Sequence, residues 1–234
     1  MIKRRNKLNN FTNQLTKMKA TLAILGISVL AFSFVAQKDS KATEILNKLS
    51  TKNKSYKTIT ADFTYAVKSD NIDEKQKGTL QLKGDKYKYS IFGVTKISDG
   101  KKICTVSESD EEIIITNANY NDPDEFSPGE IFTIYQSGYK YRYLKETTIS
   151  AKVYHVIELY PETTKKNPYR RITMYIDKAA MEIYKVELFH KTSTKVFSIT
   201  VNKASYNTPI DDKIFTCDCS INAAYDCDDQ TGAK

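Results

Sequence analysis

Polar and apolar residues alternate with a period of two through most of this 234-residue chain. Ala61, Phe63, Tyr65 and Val67 interleave with Asp62, Thr64 and Ala66. Leu80 and Leu82 interleave with Thr79, Gln81 and Lys83, and Tyr87, Tyr89 and Ile91 with Lys86, Lys88 and Ser90. A strand presents successive side chains to opposite faces, so each run predicts a strand with one apolar and one wet face. Further strand runs fall at residues 102–106, 112–116, 152–160, 171–177, 182–189 and 195–202. Turn formers separate them at Lys83-Gly84-Asp85, Ser98-Asp99-Gly100, Ile176-Asp177-Lys178 and Asn207-Thr208-Pro209. Short strands joined by turns predict a mainly β domain: an antiparallel meander, sandwich or barrel. The chain shows neither βαβ alternation nor a solenoid period.

Two stretches break the alternation. After Asp39 or Ser40, either of which can cap a helix, Ala42, Ile45, Leu46 and Leu49 recur at helical spacing and predict a short amphipathic helix. Its apolar stripe must lie on another element. Ser127-Pro128-Gly129-Glu130 then combines an N-cap, a first-turn proline and a Glu three residues after the Ser, and Gly138 closes the segment. Ile131, Phe132, Ile134 and Tyr135 are too many apolar residues for a helix lying free, so this segment is expected to cover an open end of the sheet.

Composition changes the picture at the N-terminus. The formal charge is +8, which by itself points to an anionic partner. Residues 1–36 contain Lys3, Arg4, Arg5, Lys7, Lys17 and Lys19 and no acidic residue; an uncharged run of 17 residues, Ala20 to Ala36, follows. A basic region, an apolar region and small residues at its end (Ala31, Ser33, Ala36) are the parts of a secretory signal peptide. A membrane anchor is the alternative, because the run reaches the lower limit of the roughly 17–25 residues a spanning helix needs. No Cys follows it, so lipid attachment at a new N-terminus is not expected. Removing those six from the 36 basic residues leaves 30 against 28 acidic ones, and the remaining chain is nearly neutral. Its lysines are interleaved with Glu, Asp and Tyr, which excludes the clustered charge that phosphate binding needs, so nucleic acid is not an expected partner. Sixteen Tyr and ten Phe without a Trp agree with a strand-rich domain.

Candidate chemistry is sparse. The two histidines, His155 and His190, sit inside strand patterns with no nucleophile placed beside them, and no G-x-S-x-G occurs, so no enzymatic activity, catalytic residue or cofactor is expected. Cys104 lies in a strand run; Cys217, Cys219 and Cys227 cluster in a Cys/Asp-rich tail over residues 217–234. Export into an oxidising compartment makes disulfides the first reading, with Cys217 to Cys227 or Cys219 to Cys227 stapling the tail. Zinc is disfavoured, since neither C-x-x-C nor a partner His is present, and the carboxylates Asp122, Asp124 and Glu125 lack the spaced ligand ladder of a calcium loop. What remains is collective: the apolar strand faces and two apolar helices make either a plain core or a cavity for an apolar ligand under a helical cover.

The order of elements resembles the periplasmic outer-membrane lipoprotein carrier family, LolA. The resemblance rests on the helix Ala42-Thr43-Glu44-Ile45-Leu46-Asn47-Lys48-Leu49 and on Tyr56-Lys57-Thr58-Ile59-Thr60-Ala61-Asp62-Phe63, similar to the family's approach into its first strand. Lys77-Gly78-Thr79-Leu80-Gln81-Leu82-Lys83 and Ile97-Ser98-Asp99-Gly100-Lys101 resemble its G-T-L-x-L-K and S-D-G-K turns, and Ile172-Thr173-Met174-Tyr175-Ile176-Asp177-Lys178 its I-x-L-x-I-D strand end. These motifs span residues 40–216. The resemblance implies an unclosed antiparallel β-barrel covered by a few short helices. It also implies a monomeric periplasmic carrier that receives acylated lipoproteins from an inner-membrane ABC transporter and shields their acyl chains. On that basis residues 37–216 form the carrier domain, and Phe63, Tyr65, Leu80, Leu82, Tyr87, Tyr89, Ile91, Ile131, Phe132 and Tyr135 are expected to line the cavity. Two departures stand out. Lys83 is followed by Gly84-Asp85 where typical members place Arg-Pro, whose Arg helps hold a lid closed, and the tail replaces the usual ending, so the resemblance supplies neither that latch nor the outer-membrane acceptor. A second expectation, of another class, is a membrane-anchored sensor or regulatory domain on the same half-barrel, which N-terminal sequencing of the mature protein distinguishes.

Overall fold

A computed structural model describes residues 39–118, 132–136, 138–163 and 167–232. The proposed signal segment, residues 1–36, and Ser127 to Ile131 of the expected second helix lie outside the described residues. One helix, α1 (Ser40–Ser55), precedes twelve strands: β1 (Thr58–Ser69), β2 (Ile72–Lys83), β3 (Lys86–Ile91), β4 (Val94–Ser98), β5 (Lys102–Ser107), β6 (Glu112–Asn117), β7 (Tyr139–Ile149), β8 (Lys152–Pro161), β9 (Tyr169–Asp177), β10 (Glu182–His190), β11 (Val196–Tyr206) and β12 (Asp226–Asp229).

The strands form one sheet in the order β12-β6-β5-β4-β3-β2-β1-β11-β10-β9-β8-β7. All neighbours are antiparallel except β12, which adds to β6 in parallel. The outermost strands, β12 and β7, do not pair with each other, and the result is an unclosed β half-barrel with a helix. The strands read as alternating fall where expected. β4, β7 and the short β12 are not among the strands predicted from the sequence, although in β7 Tyr139, Tyr141 and Tyr143 alternate with Lys140 and Arg142.

α1 lies on the inner face. Asp39 caps it, accepting the Ala42 N–H at 3.1 Å through Oδ1, while Oδ2 accepts the Tyr143 N–H of β7 at 2.8 Å. One carboxylate thus fixes both the helix start and its docking on the edge strand. Burial raises the Asp39 pKa, but these backbone donors outweigh it and hold the group below its ordinary value. At the other end Lys52 donates to the Ala180 carbonyl and, at 2.9 Å, to Glu182. Ala42, Ile45, Leu46 and Leu49 are buried in one cluster with Ile59, Ala61, Leu80, Ile157, Leu159, Ile172, Met174, Ile176, Val186 and Leu188. Full burial of each larger α1 side chain contributes roughly 1.5–3 kcal/mol, which is why a helix with so polar a remainder stays on the sheet.

The outer face of β4–β6 carries a second, smaller core: Ile97, Cys104, Val106, Ile113 and Ile115. The tail covers it with Cys217, Ile221, Tyr225 and Cys227. Cys104 is bonded to Cys217 and Cys219 to Cys227. Of the two tail pairings considered from sequence, Cys219 to Cys227 forms and Cys217 to Cys227 does not, because strand alternation turns the Cys104 side chain outward, where Cys217 crosses it. No cysteine among them is free to ligate zinc. Two disulfides fit an oxidising, extracytoplasmic setting.

Candidate functional site

On the inner face, beyond the end filled by α1, the described side chains leave a cavity of about 280 Å³. β1 contributes Ala61, Phe63 and Tyr65, and β2 contributes Leu80. Tyr89 and Ile91 come from β3, Leu188 from β10, and Phe197, Ile199 and Val201 from β11; Phe92, Tyr169 and Phe132 complete the wall. The register explains the grouping. Ala61 faces Leu80, which faces Tyr89, while on the other side of β1 Phe63 faces Val201 and Tyr65 faces Ile199. Every lining side chain is aliphatic or aromatic, and the volume lies near the lower end of the ~300–1,000 Å³ common for small-molecule sites.

Gly78 shapes this wall. It stands directly opposite Phe63, and the ring lies across it so closely that a Cβ there would fall 2.4 Å from Phe63 Cζ. An aromatic ring covering a cross-strand glycine is a recognised way to restore packing to a strand that lacks a side chain. Tyr65 stands in an aromatic run with Phe92 (5.8 Å, edge-on), Phe197 (6.3 Å) and, through Phe197, Tyr169 (6.2 Å). Burial, with a smaller contribution from Tyr169, raises the Tyr65 phenol pKa, so it stays neutral.

Six of the expected lining residues, Phe63, Tyr65, Leu80, Tyr89, Ile91 and Phe132, are brought together here. Leu82, Tyr87 and Tyr135 are not. Leu82 faces Ile59 and packs against the α1 end of the core; Tyr87 is buried and stacked on Tyr89 at 6.0 Å. Both point to the predicted face, but the cavity stops one residue pair short of them. Tyr135 sits in a 3-10 turn, Ile134–Gln136, rather than the expected α-helix, and α1 holds it: Asn53 Nδ2 donates to Tyr135 Oη and to the Phe132 carbonyl, both at 3.2 Å. Burial pushes the Tyr135 phenol up to about 12. Ile131 lies outside the described residues. Gly138 ends the segment with φ +79°, as its closing role predicted.

Ala61, Phe92, Tyr169, Leu188, Phe197, Ile199 and Val201 were not expected from the sequence as lining residues. Leu188, Phe197, Ile199 and Val201 alternate within runs already read as strands. What placed them here is the pairing of β11 with β1, which no local pattern reveals. At Lys83, where the resembled family continues with its lid-holding Arg, Nζ reaches the Ile210 carbonyl at 3.1 Å and Asp212 at 2.9 Å. With Lys86, also 2.9 Å away, it draws the Asp212 carboxyl down to about 2, so this turn secures the segment that leads into the tail.

His155 is a buried strand histidine. Its Nδ1 lies 3.4 Å from the Tyr143 hydroxyl and 3.6 Å from Glu146, and burial lowers its pKa, keeping it neutral. Among the described residues no group of His, Cys, Asp and Glu is arranged to hold a metal.

Fold and cavity together define an unclosed β half-barrel with an apolar-lined inner face. No protein-family model matches the chain, and no curated protein does by sequence. Solved structures are similar to it. An uncharacterized conserved protein from Thermus thermophilus is 10% identical over 81% of this chain and 99% of its own, with a TM-score of 0.56. A LolA superfamily protein from Nitrosomonas europaea is 15% identical over 75% of this chain and 97% of its own, with a TM-score of 0.42. The Mycobacterium tuberculosis lipoprotein LppX is 10% identical over 74% and 99%, with a TM-score of 0.44. At these identities the likeness is one of fold.

Proposed function

We propose that this protein is a non-enzymatic carrier that shelters the acyl chains of lipoproteins in the cavity between Phe63, Tyr65, Leu80 and Phe197 as they cross the periplasm. The carrying observation is the cavity itself. Protein interiors are normally packed without spaces larger than a water molecule, yet here thirteen aliphatic and aromatic side chains line about 280 Å³ of partly open space. Each sheltered methylene is worth ~0.8 kcal/mol, so ten of them give about 8 kcal/mol before ordering costs, enough for binding without covalent chemistry. Such a ligand can then pass to a membrane or a second protein that offers an equally apolar site. In this reading the N-terminal segment is the export signal, an inner-membrane transporter supplies the lipoprotein, and Lys83 and Asp212 hold the tail and not a lid.

The test is direct. Delipidated protein is titrated with a palmitoylated peptide and with the same peptide unacylated, and protein purified from the periplasm is weighed by native mass spectrometry. Micromolar or tighter binding of the acylated form alone, with an acylated species retained on the purified protein, supports the proposal. Equal, weak binding of both peptides refutes it.

A further inference from the structure

The β3–β4 hairpin turns through two residues, Phe92 and Gly93, both left-handed at φ +54° and +73°. This is the two-residue hairpin geometry that favours Asn, Asp or Gly at both positions; a bulky aromatic residue there is uncommon. Burial does not account for the choice. Phe92 is 53% exposed, more than any other large hydrophobic residue among those described. The backbone beneath it is held, because the Gly93 carbonyl accepts the Glu108 N–H at 3.0 Å.

The position of that ring is specific. It lies edge-on against Tyr65 and lines the apolar cavity, and it also borders a wider groove of about 750 Å³ on the outer face whose walls include Thr64, Thr79, Ser90 and Asn202. Phe92 is therefore the corner between a polar surface and an apolar interior, and the first member of the aromatic run leading through Tyr65 to Phe197. A strained, exposed aromatic residue at such a boundary points to a role outside the fold's own packing.

We propose that Phe92 is the lip of the cavity: the acyl chain slides in across its ring, which then packs on the sheltered chain. This rests on the carrier reading and adds to it the residue that controls access. Two variants test it. Phe92→Trp introduces the only tryptophan of the chain. Its emission should move to the blue when the palmitoylated peptide is added and stay unchanged with the unacylated one. Phe92→Asn suits the turn better, so its Tm should equal or exceed the wild-type value while its dissociation constant for the palmitoylated peptide rises roughly tenfold.

Unchanged affinity in Phe92→Asn, a clear fall in its Tm, or an indifferent Phe92→Trp emission would each overturn the lip while leaving the carrier reading intact. Wild-type protein that fails to bind the acylated peptide overturns both.

Discussion

Replacing Gly78 by Ala adds one methyl group to the β2 strand, and its effect follows from three distances. The new Cβ would sit 2.4 Å from Phe63 Cζ, 2.8 Å from Phe63 Cε2 and 2.8 Å from the Ser90 carbonyl oxygen. In an open strand this substitution stabilises by about 0.4–1 kcal/mol, because alanine restricts the unfolded chain more than glycine does. Here two obstacles oppose it. The Phe63 ring can swing away only at the cost of its packing on the cavity wall, and the Ser90 oxygen is backbone in a residue whose position is set by its place in the β2–β3 register, so it has little freedom to move. Overpacking of this kind costs ~1–3 kcal/mol, so the net loss should be about 1–2 kcal/mol. At roughly 2–4 °C per kcal/mol for a domain of this size, Tm falls by about 2–8 °C. Circular dichroism during thermal and urea unfolding measures it. A double-mutant cycle with Phe63→Leu isolates the ring: shortening the side chain removes Cζ, so the double variant should lose less than the sum of the singles by at least ~0.5 kcal/mol. A Gly78→Ala protein as stable as wild type, or strictly additive singles, would refute the reasoning.

Two further outcomes follow from the outer face. The Cys104–Cys217 bond closes a separation of 113 residues and Cys219–Cys227 one of 8. In the chain-entropy account the first contributes about 5 kcal/mol and the second about 2.5, so the paired Cys104→Ala/Cys217→Ala variant should lose clearly more stability in urea than Cys219→Ala/Cys227→Ala; the opposite order would contradict the assigned roles. Glu158 is buried on β8, with Arg142 and Tyr160 on one oxygen (2.5 and 2.7 Å) and Arg171 on the other (2.9 Å). Burial raises its pKa, but the Tyr160 and Arg142 hydrogen bonds and the Arg171 charge outweigh that and lower it. A depressed folded-state carboxylate stabilises above the unfolded value of about 4.3 and loses that contribution as pH falls through the folded value. Glu158→Gln should therefore cost about 1–2 kcal/mol at pH 7, with the difference from wild type shrinking towards pH 3; urea midpoints that differ equally at every pH would count against it.

Strands were legible wherever one face is dry and the other wet. In β1, β3 and β11 the alternation of Phe63 with Thr64, Tyr89 with Ser90 and Ile199 with Thr200 states both the element and its inner face. Alternation says nothing about distance along the strand. Leu82 and Tyr87 share the face of Leu80 and Tyr89, yet only the second pair reaches the cavity; Leu82 packs against the core that holds α1, and Tyr87 is buried against Tyr89. β7 carried its signal openly in Tyr139, Tyr141 and Tyr143, but a β-bulge between Tyr143 and Lys145 breaks the period midway, and the helix-like signal just before it masks the start of the strand.

The pairing of Cys104 with Cys217 was hidden for a different reason. The three clustered cysteines look self-sufficient, and a strand cysteine among Ile103, Thr105 and Val106 reads as core. Its face decides the matter: Cys104 stands opposite Ile97 and Ile115, and with Val106 and Ile113 these make the outer surface of β4–β6 apolar. An apolar surface of this extent is not left wet, so something from elsewhere in the chain has to lie on it. The tail is that element. It brings Ile221 and Tyr225 onto the patch, closes the bond to Cys104, and occupies the free edge of β6 with β12, which removes an open strand that would otherwise invite pairing with another chain. The feature that departs most from the resembled family thus answers a need created by the β4–β6 sequence itself, and it does so on the face opposite the cavity, leaving the inner surface available for a ligand.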